Sequence, residues 1–184
     1  MLYVLLGIVI ILAIIIMTRP DTFRIERSTL INAPAATVFP LVEDFHQWRG
    51  WSPFEEIDPT LTRTYEGADH GVGAVYKWSG NNKAGEGRME IIESVPSSHV
   101  RVSQQFTRPF KMDSTVEFLL EQEGEASRIT WAMFGKNQLM SKIFGLFVNM
   151  DKMLGKDFDK GLNRLKALAE SRRGEATSGG EAHY

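Results

Sequence analysis

The chain has 184 residues, and 43 % of them are hydrophobic, which supplies a packed core for one domain and excludes disorder over most of the length. Its 21 basic and 23 acidic residues leave a net charge of −2 without a basic run, which argues against nucleic acid as the main partner. Cysteine is absent and the four histidines are scattered, so the sequence predicts no disulfide bond, no metal and no cofactor.

The first element is an uncharged apolar run from Leu2 to Met17. Its length approaches the roughly 20 residues of a spanning helix. Because no basic residue precedes the run and no small-residue cleavage site follows it, a retained anchor is favoured over a cleaved signal peptide. The sequence therefore predicts a transmembrane helix over residues 1–20. Arg19, Arg24 and Arg27 follow it, which predicts a single-pass membrane protein whose soluble domain lies in the cytoplasm.

The next elements are a strand and a short helix, followed by a turn-rich segment. A β-branched stretch from Thr22 to about Ala33 predicts the strand, and the helix is predicted over Ala35–Glu43. The turn-rich segment contains Trp48 and Trp51. These two rings either close one end of a core or contribute to the mouth of a ligand cavity.

In the rest of the chain, the spacing of the apolar residues changes once. From Thr60 to Lys136 the period is two, with turn signals between the runs, which predicts an antiparallel meander of five or six strands. From Leu139 to about Ala169 the period is that of a helix, and the polar segment 171–184 predicts a disordered tail. This order predicts an α+β fold in which a long C-terminal helix lies across a curved sheet.

Four stretches within residues 23–170 carry a resemblance to a known family. They are INAPAATVFPLVEDFHQWRGWSPF, YKWSGNNKAGEGRMEI, RITWAMFG and MDKMLGKDFDKGLNRLKALAE. In order and spacing they resemble the SRPBCC superfamily of START-like, or helix-grip, domains, and in particular its polyketide cyclase/dehydrase and lipid-transport group. The resemblance implies a domain over residues 21–170. In it, a curved antiparallel sheet of about seven strands wraps around the C-terminal helix, two short helices follow the first strand, and a cavity lies between sheet and helix.

The candidate site consists of side chains expected on the inner face of the sheet or on the apolar stripe of the helix. Gln104 and Ser114 alternate with apolar residues, so each needs a buried partner, which is a ligand, a neighbouring side chain or water. Tyr76 either donates a hydrogen bond to a ligand or is a core residue. The predicted lining is Trp51, Tyr76, Trp78, Met89, Gln104, Phe106, Ser114, Trp131, Met133, Phe147, Met150 and Phe158.

The leading hypothesis for function is a membrane-anchored protein that binds a hydrophobic small molecule, such as a lipid, an isoprenoid or a polyketide-like compound. One alternative is a cyclase/dehydratase-type enzyme that uses the same cavity, and another is a protein-interaction domain with a collapsed cavity. No acid–base pair or nucleophilic set can be assembled from the sequence, so no catalytic residue is predicted. Asp151 fits a solvated helix face with nearby lysines.

Overall fold

The computed structural model describes residues 3–4, 7, 10–11, 16–18, 20–137 and 149–179. Its strands are β1 (Thr22–Ile31), β2 (Thr62–Gly67), β3 (Ala74–Ser79), β4 (Glu86–Val95), β5 (His99–Arg108), β6 (Met112–Glu123) and β7 (Ala126–Lys136). Its helices are α1 (Ala35–Glu43), two 3₁₀ helices named η1 (Phe45–Gly50) and η2 (Pro53–Glu56), and the long α2 (Met150–Gly179). The strands form one antiparallel sheet in the order β1-β7-β6-β5-β4-β3-β2.

The sheet is a meander because each strand from β2 to β7 pairs with its neighbour in the chain, and β1 then pairs with β7. Period-two alternation decides which side chains face the core. Along β5, Val100 and Val102 are fully buried, whereas Arg101 and Ser103 lie on the other face and are half-buried. The turn between β6 and β7 uses Gly124 at a φ of 63°, a conformation that favours glycine.

Helix α2 packs its apolar stripe against β1, α1 and η2. Phe158, Leu162, Leu165 and Ala169 step by four and three along the chain, which brings them to one face, and all four are buried. The predicted α+β architecture of a seven-stranded antiparallel sheet and a C-terminal helix is therefore confirmed. The part of the predicted helix between residues 138 and 148 lies outside the described residues.

A glycine in the middle of α2 allows the helix to approach the sheet closely. A Cβ atom at Gly161 would lie 2.7 Å from Cζ3 of Trp131 and 3.0 Å from Cδ of Pro53. Glycine is unfavourable in a helix interior by about 1 kcal/mol relative to alanine. The contact with the Trp131 ring is the compensation for that cost.

Helix α2 continues to Gly179, past residue 171, where the sequence predicts the start of a disordered tail. Two arginines connect these last turns to the rest of the domain. Arg172 donates a hydrogen bond to Oε1 of Gln47 at 2.7 Å, and Arg173 donates to the carbonyl oxygen of Asn32 at 2.9 Å and to the Glu125 carboxylate. Composition alone does not reveal such contacts, because they join positions far apart in the chain.

The predicted membrane anchor is wrong. Within the part of the chain that the structure describes, no helix is long and apolar enough to cross a membrane. In the predicted span, residues 3–4, 7, 10–11 and 16–17 are helical, and most of the others lie outside the described residues. Crossing a bilayer takes a continuous helix of about 20 apolar residues, and an apolar composition does not by itself supply one. The predicted single-pass membrane localisation and its cytoplasmic orientation are withdrawn with it.

Candidate ligand-binding cavity

A cavity of about 180 Å³ lies between the inner face of the sheet and the first turns of α2. Strands β4 to β7 form its floor, and η1, Ser52 and η2 form one side. Its wall consists of Trp48, Ser52, Phe54, Glu55, Met89, Gln104, Phe106, Met112, Val116, Trp131, Met133, Met150, Leu154 and Phe158. The cavity is thus built by every layer of the domain rather than by a surface loop.

Methionine and aromatic side chains make up most of the wall. Met89, Met112, Met133 and Met150 come from β4, β6, β7 and α2. Methionine is unbranched and polarisable, so it adapts to different shapes and makes favourable contacts with aromatic rings. The wall is therefore suited to an apolar ligand, and to an aromatic one in particular.

An aromatic stack joins the sheet to α2 beside the cavity. The rings of Trp131 and Phe158 lie 4.2 Å apart between centroids and are almost parallel, at 4°. Phe54 and Trp51 contact the Trp131 ring edge-on. Among the described residues, the buried Nε1 of Trp131 has no hydrogen-bond partner. The ring is therefore held by packing alone.

Gln104 brings a polar group to the apolar floor. Pairing of the strands places it beside Met89 on β4 and Ser114 on β6. The Ser114 hydroxyl donates to Oε1 of Gln104 at 3.0 Å, and Nε2 of Gln104 lies 3.9 Å from Sδ of Met89. The carbonyl side of the amide is thus bonded, while the one acceptor of its amino side among the described residues is a weak thioether.

Glu55 is a second polar group in the wall, and both of its carboxylate oxygens are bonded. Oε1 accepts a hydrogen bond from the Tyr76 hydroxyl at 2.7 Å, and Oε2 accepts one from Nε of Arg63 at 2.5 Å. Burial, together with the hydrogen bond to Glu55, raises the pKa of Tyr76 far above its ordinary value. The hydrogen bond with Glu55 likewise raises the pKa of Arg63. The cluster is a half-buried ion pair with a neutral phenol donor.

Many of the residues predicted from the sequence meet in this cavity. Seven of the predicted lining residues form part of its wall: Met89, Gln104, Phe106, Trp131, Met133, Met150 and Phe158. Trp51, Tyr76, Trp78 and Ser114 are buried but do not line it. Phe147 lies outside the described residues.

The two tryptophans after α1 have different positions. Trp51 is fully buried, and its Nε1 donates to the carbonyl oxygen of Leu41 at 2.9 Å, so it is a core residue. Trp48 lines the cavity while its Nε1 donates to the carbonyl oxygen of Val42 at 3.1 Å. Each of the two readings of this segment therefore applies to one of the rings.

Sequence reasoning missed Glu55 and Arg63. A signal for Arg63 was available, because Arg63 and Tyr65 alternate with exposed threonines on β2 and therefore share the half-buried face. A half-buried cation calls for an acidic partner. The remaining lining residues that were not predicted are Trp48, Ser52, Phe54, Met112, Val116 and Leu154.

A larger concavity of about 370 Å³ lies at the β2–β4 end of the sheet. Its cations are already paired, since Lys77 lies 2.7 Å from Glu66 and Arg88 lies 2.7 Å from Glu90. It is also more open to solvent. The cavity beneath α2 is therefore the stronger candidate for a ligand site, because it combines enclosure with apolar walls.

Comparison with known proteins confirms the resemblance seen in the motifs. The model of a family described as polyketide cyclase / dehydrase and lipid transport matches residues 22–170. The structure of CV1439 from Chromobacterium violaceum has a TM-score of 0.57 at 16 % identity, covering 83 % of this chain and 99 % of that chain. Ms6760 from Mycobacterium smegmatis has a TM-score of 0.56 at 18 % identity, covering 83 % and 94 %.

DynU16, from the dynemicin biosynthetic locus, has a TM-score of 0.56 at 16 % identity, covering 83 % of this chain and 48 % of that chain. At such identities these structures show a shared fold and nothing about ligands. No curated protein matches the chain.

Proposed function

Because the chain belongs to the polyketide cyclase/dehydrase and lipid-transport family, we propose that it binds a small hydrophobic molecule in the cavity between the sheet and α2. The observation that carries the proposal is the cavity itself. Protein interiors are close-packed, and the helices and strands around the cavity also form a continuous hydrophobic core. A void walled by methionine and aromatic side chains in such a core supports a binding role.

The size of the cavity limits the ligand. A cavity of roughly 150 Å³ in another protein binds benzene, so about 180 Å³ suits one ring with a small substituent, or one end of a longer molecule. Burying roughly 200 Å² of apolar ligand surface contributes on the order of 5 kcal/mol before the cost of ordering. We therefore expect dissociation constants of about 1 mM for ring-sized probes, which corresponds to about 4 kcal/mol of net binding free energy.

The two alternatives have less support. An enzyme of the cyclase or dehydratase kind needs a group that is free to move a proton. Glu55 is the one carboxylate in the cavity wall among the described residues, and both of its oxygens already accept hydrogen bonds, from Tyr76 and Arg63. A protein-interaction domain with a collapsed cavity is disfavoured by the open volume beneath α2.

Partial filling of the cavity tests the proposal. Leu154 lines the cavity, whereas the neighbouring Met153 is 45 % exposed on the same helix. We expect α-methylstyrene, observed by saturation-transfer NMR and titration calorimetry, to bind the natural protein. Leu154→Trp should weaken binding at least tenfold, and the matched variant Met153→Trp should not. Absence of binding to the natural protein, or equal binding by both variants, would refute the proposal.

A further inference from the structure

Gln104 is fixed by its neighbours in one orientation. It lies on the inner face of β5, and its amide oxygen accepts the Ser114 hydroxyl at 3.0 Å. The amide nitrogen therefore turns to the other side, toward Met89 and the cavity that both residues line. Strand pairing holds the three residues side by side, and the two side-chain hydrogen bonds set the direction of the amide.

The amino group of Gln104 retains hydrogen-bonding capacity. A primary amide carries two N–H donors, and a thioether sulfur is a weak acceptor. The contact of Nε2 with Sδ of Met89, at 3.9 Å, is the one hydrogen bond from that nitrogen among the described residues. An unsatisfied donor in an apolar wall is costly, and an acceptor on a ligand removes that cost.

Glu55, another polar group in the cavity wall, does not compete for this acceptor. Glu55 carries no donor when ionised, and its oxygens already accept from Tyr76 and Arg63. A ligand hydroxyl or amine that binds Glu55 would have to displace one of those bonds. A carbonyl oxygen, which only accepts, fits the unused donor of Gln104 and disturbs neither.

We propose that the cavity selects aromatic molecules that carry a carbonyl oxygen, and that this oxygen accepts a hydrogen bond from Nε2 of Gln104. The inference rests on the proposed function, because it requires that the cavity bind a ligand. Methionine and aromatic side chains in the wall favour an aromatic group, and the size of the cavity limits the enclosed part of the molecule to about one ring. The carbonyl follows from the geometry of the Gln104 amide.

A matched pair of ligands tests it. Acetophenone and α-methylstyrene have nearly the same shape, and differ in having C=O or C=CH₂ beside the ring. Their dissociation constants are to be measured by titration calorimetry for the natural protein, for Gln104→Met, and for the control Gln105→Met. Methionine keeps the length of glutamine without its donors, and Gln105 is exposed on the opposite face of the same strand.

We expect Gln104→Met to weaken acetophenone binding by about fivefold, which is the typical net contribution of one hydrogen bond. The same variant should change α-methylstyrene binding less than twofold. Gln105→Met should change neither. If both ligands bind and Gln104→Met affects them equally, the carbonyl selectivity is wrong while the proposed function stands. If neither ligand binds the natural protein, the proposed function itself is wrong.

A spectroscopic readout on the natural protein covers the case in which Gln104→Met does not fold. A hydrogen bond to a carbonyl lowers its stretching frequency relative to an apolar solvent. We expect this lowering for bound acetophenone. A frequency equal to that in an apolar solvent would overturn the inference.

Discussion

Replacing Gly161 with alanine tests whether the approach of α2 to the sheet depends on a missing side chain. In an unhindered helix this substitution stabilises by about 1 kcal/mol. At this position the new Cβ would lie 2.7 Å from the Trp131 ring and 3.0 Å from Pro53. Carbon atoms pack best at roughly 3.5–4.0 Å, so a buried group must move by several tenths of an ångström.

The Trp131 ring has little room to move. It is stacked on Phe158 and contacts the rings of Trp51, Phe54 and Phe118. Overpacking a dense core costs about 1–3 kcal/mol. After the helix gain of about 1 kcal/mol, we expect the free energy of unfolding of Gly161→Ala to lie between unchanged and about 2 kcal/mol lower.

Gly174 supplies the control in the same helix. A Cβ there would have no atom within 4 Å, so Gly174→Ala shows the gain in helix propensity alone. Urea unfolding followed by circular dichroism gives both free energies, and we expect the two variants to differ by about 1–3 kcal/mol. If Gly161→Ala stabilises the protein as much as Gly174→Ala does, the close-approach reasoning is refuted.

Two further predictions concern one buried and one half-buried carboxylate, Glu117 and Glu55. Burial opposes ionisation of Glu117, but hydrogen bonds from Arg101 and His99 outweigh it and lower the pKa of this carboxyl from its ordinary value of 4.5. The contribution of ionised Glu117 to stability is therefore complete above about pH 4.5 and is lost as the pH falls through the lowered pKa. We expect Glu117→Gln to reduce the loss of unfolding free energy at acid pH, measured as a function of pH. Glu55→Gln leaves the Arg63 guanidinium half-buried without a counter-charge and should lower the free energy of unfolding by about 2–3 kcal/mol in urea titrations.

Neighbouring acids give matched controls for both predictions. Glu121 is exposed on the same strand as Glu117, so Glu121→Gln should leave the loss at acid pH unchanged. The Glu56 side chain is 55 % exposed and pairs with Lys160 and Arg164 at the surface, so Glu56→Gln should cost less than about 1 kcal/mol. If a variant and its control have equal effects, the role assigned here to Glu117 or to Glu55 is contradicted.

The sheet could be predicted from the sequence because each strand has one face on the core. Along β5 the inward positions Val100, Val102, Gln104 and Phe106 follow the period-two pattern, and this pattern also placed Gln104 at the cavity. The apolar face of α2 could be predicted in the same way, because the helix too has one face on the core. These features depend on local periodicity, which a single sequence displays.

The features that depend on contacts between distant segments could not be predicted. Trp48 and Trp51 belong to a 3₁₀ helix and the residue after it, and only the packing of that segment decides which indole meets the cavity. The pairing of Glu55 with Arg63 requires η2 to lie over the edge of β2. The apolar run at the N-terminus led to a wrong prediction of a different kind. Its composition suggested a continuous spanning helix, and the described residues do not contain one.

The placement of indole rings in the wall gives the cavity an optical signal of its own. Of the four tryptophans in the chain, Trp48 and Trp131 line the cavity, and Trp51 and Trp78 do not. With the latter two replaced by phenylalanine, all tryptophan emission would come from rings that touch the ligand space. Occupancy could then be followed by fluorescence without an attached dye, and a library of compounds could be screened on the unlabelled protein.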